Sequence, residues 1–511
     1  MAIRSCGPAL SIALALGCAG RTPSPGSAPS TPFAAAESVA AGITAESALR
    51  HVAFLASDEL AGRDTPSPGL ESASEYIARR FEAAGLEPAG DDGGWLQRWP
   101  YERKRFDHGA AALRLRGAHG GTSLVLGEQW FALPSDVEAV HGRPVHVGTA
   151  EARLSGFPPE AAGRILLLTT GPALGVETLG LIREASEAGA TGLLLVLHPD
   201  IPPEAIPAIM AQVEGLPAQP IPVAGVLSAG AADLLSSAGT VLGELVAAGD
   251  SRPLEIDGEL ELRVPLIREP SSPPNVVAAL RGSDPVLRDE YVLYTAHFDH
   301  VGVGVPDAAG DSIYNGADDD ASGTALLLEV ARAFAALPEA PPRSLLFLAV
   351  SGEEKGLLGS RWWAENPTVP LRGVVANLNF DMVGRNHPDT VIVIGQEYSS
   401  LGPLARGIGA GRSDVRLVAA PDPDPAEKAF FRSDHVSFVR RGVPALFLTT
   451  WLHDEYHTPG DETERVDAEK LARVARLAFW IGWEVAREPA APTWNEGAWE
   501  DLRRILEAAP F

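Results

Sequence analysis

The side chains best suited to binding a metal ion stand close after apolar runs in the second half of this 511-residue sequence. They combine imidazole with carboxylate groups, and no thiolate can join them because the last cysteine is Cys18. Such ligands suit Zn²⁺ or another borderline divalent ion, and the number of carboxylates suggests two ions that share one of them. The residues are His297, Asp299, His300, Asp318, Asp319, Asp320, Glu353, Glu354, Asp381 and His457.

Each of these motifs also has a structural interpretation when it is taken alone. A run of three aspartates is usually a solvated loop or the start of a helix, a glutamate pair is commonly exposed, and a single histidine at a strand end is often structural. A shared site is favoured because the motifs follow successive predicted strands. Polar groups at the carboxyl ends of strands in an open α/β sheet gather at one edge, where chemistry collects.

The elements that position these residues alternate between strands and helices. Five apolar runs have the length and unbroken hydrophobicity of strands buried on both faces, at 291–295, 345–350, 374–380, 391–394 and 445–448. Helical patterns occur at 321–337, 356–366, 400–409 and 466–487. This alternation predicts an α/β fold with a mostly parallel central sheet sandwiched by helices.

Five motifs give the sequence a family resemblance. They are His-x-Asp at 297–299, Gly-Ala-Asp-Asp-Asp-Ala-Ser-Gly at 316–323, Glu-Glu at 353–354, Asn-x-Asp-Met-Val-Gly-Arg at 379–385 and Tyr-His-Thr at 456–458. Their order resembles that of the co-catalytic double-zinc exopeptidases, which include bacterial zinc aminopeptidases and plasma glutamate carboxypeptidase. The resemblance also includes 55–63 and 433–435, so it covers nearly all of residues 45–488. It implies the zinc-peptidase, phosphorylase/hydrolase-like fold.

The resemblance implies a ligand for each ion by motif position. His297 and Asp381 would hold one Zn²⁺, Glu354 and His457 would hold the other, and Asp319 would bridge the two. Each ion then has three protein ligands and room for a shared water, as catalytic zinc requires. The spacing of the aspartate triple does not by itself separate Asp319 from its two neighbours.

The resemblance also implies roles for residues that do not bind the ions. Glu353 would act as the general base, and Tyr456 would donate a hydrogen bond to the oxyanion. Asp299 would accept a hydrogen bond from the imidazole of His297 and fix its tautomer. We expect Asp320 to cap the start of the following helix.

Three further residues near the motifs are assigned less specifically. Asp434 and His435 are consistent with a supporting or substrate-side role and equally with a structural one. We predict that His300 is structural. The native metal also stays open among Zn, Co and Mn, since all three share such ligands.

The composition excludes some partners and indicates export. The sequence has 67 acidic and 41 basic residues and a formal net charge of −26, which argues against nucleic-acid binding. Residues 1–18 read as a signal peptide, and Ala15-Leu16-Gly17-Cys18 resembles a lipobox, so we expect a lipid anchor at Cys18 as the only membrane attachment. The protein would then belong to the bacterial cell envelope, in the outer membrane or periplasm. Ordinary cleavage near Ala19 would make it a secreted protein.

Changes in composition and in hydrophobic pattern divide the remaining chain into segments. Residues 19–40 are rich in Pro, Ser, Thr and Ala, as in a flexible linker. We predict a zinc peptidase domain at 41–132 and 263–488, interrupted at 133–262 by an inserted domain that resembles the protease-associated domain. The C-terminal tail would be 489–511.

The functional expectation is a zinc-dependent exopeptidase with peptide substrates, most simply an aminopeptidase. A carboxypeptidase or dipeptidase on the same scaffold is the main alternative. A glutaminyl cyclase is less favoured because such relatives work with one zinc. A receptor-like homologue without catalysis is disfavoured because its relatives lose ligands or the base, whereas here all are present.

Overall fold

The structure, a computed structural model, describes residues 32–153, 156–171, 177–214, 216, 218–248, 252–425 and 428–508. The predicted signal peptide, with Cys6 and Cys18, lies outside the described residues. Among those that are described, no helix is both long enough and apolar enough to cross a membrane.

The helices of the described part are distributed along the whole chain. They are α1 Pro32–Ala41, α2 Ala45–Leu55, α3 Pro68–Ala84, α4 Ala150–Arg153, α5 Glu177–Glu187, α6 Ile206–Glu214, α7 Ser228–Ser236, α8 Leu242–Ala248, α9 Gly323–Ala335, α10 Leu358–Glu365, α11 Leu401–Gly411, α12 His435–Val439, α13 Ala468–Arg487 and α14 Ala498–Ala508.

Local sequence signals set the ends of the long helices. Ser67 accepts a hydrogen bond from the backbone N–H of Leu70 at 3.0 Å, and Pro68 occupies the first turn of α3. The same helix ends at Gly85, whose φ of 84° is the left-handed conformation that glycine adopts without steric cost. Asp467 caps α13 in the same way, accepting from the N–H of Lys470 at 3.0 Å.

The strands begin in the amino-terminal region and continue to the last third of the chain. They are β1 Glu87–Pro88, β2 Leu96–Arg98, β3 Tyr101–Phe106, β4 Ala112–Gly117, β5 Gly120–Leu124, β6 Trp130–Leu133, β7 Ala139–Gly142, β8 Pro144–Thr149, β9 Ile165–Thr169, β10 Gly192–Val196, β11 Val223–Val226, β12 Leu254–Glu255, β13 Glu259–Arg263, β14 Leu266–Ser271, β15 Pro274–Leu280, β16 Tyr291–His297, β17 Ser344–Val350, β18 Val374–Phe380, β19 Thr390–Ile394, β20 Val418–Ala420 and β21 Ala445–Thr449.

The central sheet has nine strands in the order β1-β15-β17-β16-β18-β21-β19-β20, with β2 also paired to β15. Its four middle strands, β17, β16, β18 and β21, run parallel to one another. Their carboxyl ends therefore meet at one edge of the sheet. The predicted α/β fold with a mostly parallel central sheet is confirmed, and the five predicted strands agree with β16, β17, β18, β19 and β21 to within two residues at each end.

Helices cover both faces of this sheet, as the unbroken hydrophobicity of its strands requires. Along β16, Val292 and Tyr294 pack into the main core with residues of α9 and α13. Leu293, between them, points to the other face and packs with Trp363 of α10 and Phe438 of α12. Side chains alternate between the two faces of a strand, so burial on both sides leaves every position apolar.

A second α/β unit is built from the region between β3 and β14. Its six-stranded sheet has the order β12-β8-β9-β10-β11-β6, and a four-stranded sheet has the order β5-β4-β13-β7. The predicted inserted domain begins at 133, whereas β4 and β5 precede that residue, β6 ends at it, and all three pair with strands of this unit. The division of the chain into domains stays a prediction.

Candidate metal centre

The predicted site residues lie at the carboxyl edge of the central sheet. His297 is the last residue of β16, Asp381 directly follows β18, and Glu353 and Glu354 lie three and four residues past the end of β17. Because β17, β16 and β18 are adjacent and parallel, their ends bring these side chains together. His457 lies on the loop after β21 and joins them there.

Two groups of side chains at this edge have the composition of metal sites. In the first, Nε2 of His297 lies 3.3 Å from Oδ1 of Asp319 and 3.6 Å from Oδ1 of Asp381. In the second, Nε2 of His457 lies 3.1 Å from Oδ2 of Asp319 and 3.2 Å from Oε2 of Glu354. Asp319 thus presents one carboxylate oxygen to each group, which is the arrangement that a bridging ligand needs.

The structure separates the three consecutive aspartates, which spacing alone could not. Asp318 accepts a hydrogen bond from the N–H of Gly384 at 2.6 Å. Asp320 accepts from the N–H of Gly323 at 2.8 Å, at the first residue of α9, and from that of Met382 at 3.1 Å. The prediction that Asp320 caps this helix is confirmed, and Asp319 is the member of the triple that faces both groups.

The loop that carries Asp319 is held from outside by Asp461. The carboxylate of Asp461 accepts hydrogen bonds from the backbone N–H groups of Asp318 and Asp319, each at 3.0 Å. The turn into the loop is made by Gly316 at a φ of 59°, where a Cβ atom would lie 2.2 Å from the carbonyl oxygen of Asp319. No residue other than glycine fits this turn.

The predicted hydrogen bond from His297 to the carboxylate of Asp299 is not formed in this structure. Nδ1 of His297 lies 3.7 Å from Oδ1 of Asp299 but 3.2 Å from the backbone carbonyl oxygen of that residue. The carboxylate is instead held by other donors, at 2.9 Å from the hydroxyl of Thr65 and 3.3 Å from the N–H of Glu353. The carbonyl can still fix the tautomer of His297, so the role passes from the side chain to the backbone of Asp299.

His300, which we predicted to be structural, belongs by geometry to the second group. Its side chain is fully buried, and Nδ1 lies 2.8 Å from Oε1 of Glu354 and 3.7 Å from Oδ2 of Asp319. It therefore contacts Glu354 on the oxygen that His457 does not approach. A signal for this residue is present in the sequence, since His300 comes three residues after His297, which ends β16.

Asp381 is oriented by Ser433, which lies immediately before the two residues whose roles were left open. The hydroxyl of Ser433 donates to Oδ2 of Asp381 at 2.7 Å, which leaves Oδ1 directed toward His297. Asp434 is fully buried, and its burial raises its pKa to about 7. His435 packs its ring against Phe430 and Phe447, 5.0 and 5.1 Å away between ring centres, as a structural residue does.

Glu353 and Tyr456 line a cavity beside the two groups, together with Asp319 and Asp381. The cavity measures about 530 Å³ including the space at its mouth. Tyr456 stacks on the ring of His457 with 3.9 Å between ring centres. The predicted base and the predicted oxyanion donor are therefore both placed where they can reach a substrate in this cavity.

The carboxylates of the site favour positive charge on two of its histidines, His297 and His457. Burial alone would lower the pKa values of these histidines, but the effect of the nearby carboxylates is larger. The pKa of His297 lies well above its ordinary value, and that of His457 rises to about 10. Nε2 of His457 has no hydrogen-bond partner in the described part of the chain, although it is buried between two carboxylate oxygens.

The two adjacent glutamates differ in charge preference. Burial raises the pKa of Glu353 well above its ordinary value, and Glu354 adds to the rise. For Glu354, burial and Asp319 act in the same direction, but His300 and His457 outweigh them and lower its pKa to about 2. Glu354 thus favours its anionic form, which suits a cation, and Glu353 binds a proton more readily than an exposed glutamate does. The donor set of both groups fits Zn²⁺.

Known proteins match the region that contains the site. Residues 275–481 match the model of peptidase family M28.

The match covers less than half of this chain, and it includes every candidate metal ligand.

Individual curated proteins also resemble this chain. This chain is 29% identical over 293 residues to a "Probable zinc metalloprotease" of Pyricularia oryzae, with 48% of this chain and 56% of that one covered. Aminopeptidase YwaD of Bacillus subtilis is 27% identical over 223 residues, 40% of this chain and 44% of its own. The chain thus spans about half the length of the curated relatives it matches.

Two solved structures share the fold over most of this chain. The aminopeptidase from Aneurinibacillus sp. strain AM-1 superposes with a TM-score of 0.58 at 20% identity, covering 89% of this chain and 97% of that one. The zinc aminopeptidase BSAP from Bacillus subtilis gives 0.56 at 19% identity, with 88% and 97% covered. Each covers more of this chain than the M28 region alone, so the likeness in fold extends beyond that region.

We predict that Asp319 and Asp320 have separable effects. Asp319→Asn should lose most of the bound zinc, because it weakens one ligand in both groups. Asp320→Ala should retain zinc but lower the free energy of unfolding by about 1–2 kcal/mol, the usual cost of a lost helix cap. Metal analysis after gel filtration and denaturant titration measure the two effects, with the exposed Asp92→Asn as control. Wild-type zinc content in Asp319→Asn would contradict the assignment.

Proposed function

We propose that this protein is a zinc-dependent exopeptidase that removes amino-terminal residues from peptides and uses two zinc ions. The observation that carries the proposal is the placement of Asp319, whose two oxygens each face a separate set of ligands. A shared carboxylate between two metal groups is the arrangement of a co-catalytic pair. The match of residues 275–481 to peptidase family M28 supports the same metal. So does the word zinc in the names of relatives of this chain.

The residues of the cavity account for the chemistry of peptide hydrolysis. Bound zinc would polarise the scissile carbonyl and lower the pKa of a water. Glu353 takes the proton of that water and passes it to the leaving amine, a task for which its raised pKa is suited. The Tyr456 hydroxyl, whose pKa is raised by burial and by the surrounding carboxylates, keeps its proton and donates it in a hydrogen bond to the developing oxyanion.

The walls of the cavity favour the amino end of a peptide. Glu353, which is not a proposed metal ligand, lines the cavity and can pair with a protonated α-amine. The charges of Asp319 and Asp381 would be offset by the ions. Apolar side chains of the same lining offer contact for the side chain of the terminal residue. These are Met382, Phe447, Trp451 and Leu452.

One feature of the same cavity favours the carboxypeptidase or dipeptidase alternative. Arg432 also lines the wall, and a guanidinium is the usual partner of a terminal carboxylate. Glu353 lines the same cavity, and Aminopeptidase YwaD is among the relatives of this chain, which is why we place the amine there. A receptor-like role is disfavoured because the general base and all five proposed ligands are retained together.

Blocked peptides test the polarity of the proposed reaction. We expect release of amino acids from dipeptides with a free amine and an amidated carboxyl end, and little release from amino-acetylated dipeptides with a free carboxyl end. Exhaustive chelation should abolish activity, and added Zn²⁺ should restore it. Preferential cleavage of the acetylated series would favour the carboxypeptidase, and full activity without metal would refute the proposal.

Glu353→Gln tests the general base. The variant keeps the size of the side chain and every proposed ligand, so we expect normal zinc content but a kcat reduced by about 10²- to 10⁴-fold, the usual contribution of a positioned base. Glu59→Gln, an exposed carboxylate on the amino-terminal segment, is the matched control. If kcat in Glu353→Gln stays within a few-fold of the wild type, another group must accept the proton.

We further propose that the protein is exported and carries a lipid at Cys18, as the amino-terminal sequence indicates. The support is the sequence of residues 1–18 alone, which lie outside the described part. Mass spectrometry of the mature amino terminus measures this directly: a diacylglyceryl cysteine supports the anchor, and a mature chain that begins after Cys18 refutes it.

A further inference from the structure

A groove rich in cations lies beside the metal centre, on the outer side of residues 351–355. We call it the basic groove and define it by Trp99, Tyr101, Arg103, Lys355, Arg361 and Trp362, which line it. Its lining has five cations, Arg103, Lys104, Arg105, Lys355 and Arg361, against three carboxylates, Asp64, Glu102 and Glu365. This balance is the reverse of that of the whole chain, whose net charge is −26.

Most of the charges in the groove are already paired with one another or with neighbours. Lys355 lies 2.9 Å from Asp64, and Lys104 and Arg105 lie 2.7 and 2.8 Å from carboxylates of adjacent segments. Arg103 and Arg361 differ, since neither forms an ion pair within 4 Å of a carboxylate in the described part of the chain. Glu269 lies opposite Arg103 in the register of β3 and β14, but its closest cation is Arg105, at 2.8 Å. Two guanidinium groups in one groove are therefore available to an anion.

The basic groove is connected to the metal centre by direct contacts. Lys355 follows Glu354 in the chain. Trp99 donates from its indole N–H to the hydroxyl of Ser351 at 3.1 Å, two residues before Glu353. Thr65, in the wall of the groove, donates to Asp299 at 2.9 Å. The segment that carries Glu353 and Glu354 thus lies between the groove and the cavity, with Glu353 in the lining of the cavity and Lys355 in that of the groove.

Aromatic rings give the groove a surface on which an extended chain can lie. Trp99 and Tyr101 contact each other edge to face at 5.5 Å between ring centres, and Trp362 lies on α10 across the groove. Aromatic side chains bind peptide backbone and side chains without demanding one sequence. Charge then supplies the selectivity, because a guanidinium pairs with a carboxylate in a bidentate manner.

We propose that the basic groove binds the part of the substrate beyond the scissile bond and selects for a carboxylate there, through Arg103 and Arg361. The carboxylate is either an Asp or Glu side chain or the free carboxyl terminus of a short peptide. This inference rests on the proposed function, since it assigns a specificity to the same site. The terminal residue occupies the cavity, and the leaving portion occupies the groove.

Four matched peptides test the proposal and separate the two sources of the carboxylate. All share one amino-terminal residue; they differ in a Glu or Gln further along and in a free or amidated carboxyl end. We expect the wild type to cleave at least one acidic form with kcat/KM about 10-fold above the amidated Gln peptide, mainly through KM, because the groove binds ground and transition states alike. Higher ionic strength should reduce the preference. Comparison of the Glu peptide with an amidated end and the Gln peptide with a free end shows which of the two carboxylates the groove prefers.

The variant Arg103→Gln/Arg361→Gln should lose the preference while its kcat/KM for an aminoacyl anilide, which has no carboxylate, stays unchanged. The control variant Arg79→Gln/Arg504→Gln removes the same amount of charge from two exposed arginines, on α3 and α14, and should keep the preference for acidic peptides. A wild type that does not discriminate among the four peptides overturns the proposal, as does a groove variant that still does.

The anilide separates failure of the groove from failure of the proposed function. Anilide hydrolysis without peptide discrimination leaves the aminopeptidase in place and refutes the groove. If the zinc-loaded wild type hydrolyses neither the anilide nor any of the peptides, the proposed function is wrong, and the groove proposal falls with it.

Discussion

Electrostatic repulsion among buried carboxylates is the constraint that the rest of the structure serves. Asp319, Glu354 and Asp381 converge at one edge of the central sheet, where little water screens their charges. Gathering them there is costly unless cations and hydrogen-bond donors compensate. Histidines supply part of this compensation. The raised pKa values of His297 and His457 show that the site favours positive charge.

The fold compensates for this repulsion with hydrogen bonds that hold each carboxylate, or the loop that carries it, in place. Ser433 holds one oxygen of Asp381, His300 holds one of Glu354, and Asp461 holds the backbone of the loop that carries Asp319. The parallel strands beneath are buried on both faces and leave little freedom at their ends. Because the supports and the strands are rigid, the remaining oxygens point inward in spite of their repulsion, ready for ions.

The sequence predicted the strands and the main ligands because both have strong local signals. Strands buried on both faces read as unbroken apolar runs, and motif order identified His297, Asp381 and Glu354 at their ends. The supports were harder to predict since their partners are remote in the chain. Thr65 and Asp299 are 234 positions apart, and their contact decides which atom of Asp299 meets His297. The contact of His300 with Glu354 was not predicted, because a histidine at a strand end is often structural and Glu354 is 54 positions away in the chain.

The aspartate triple has an evolutionary consequence. Asp318, Asp319 and Asp320 point in three directions and meet three sets of partners, the backbone of Gly384, the metal groups and the start of α9. All three are buried, so a longer side chain at any of these positions would have to displace its neighbours. A lineage that abandons catalysis can discard His457, on a half-exposed loop, or replace Asp319 without removing a contact that holds the helix. Loss of Asp318 or Asp320 removes hydrogen bonds that hold the loop and the beginning of α9, so these two should persist longest in descendants that no longer bind metal.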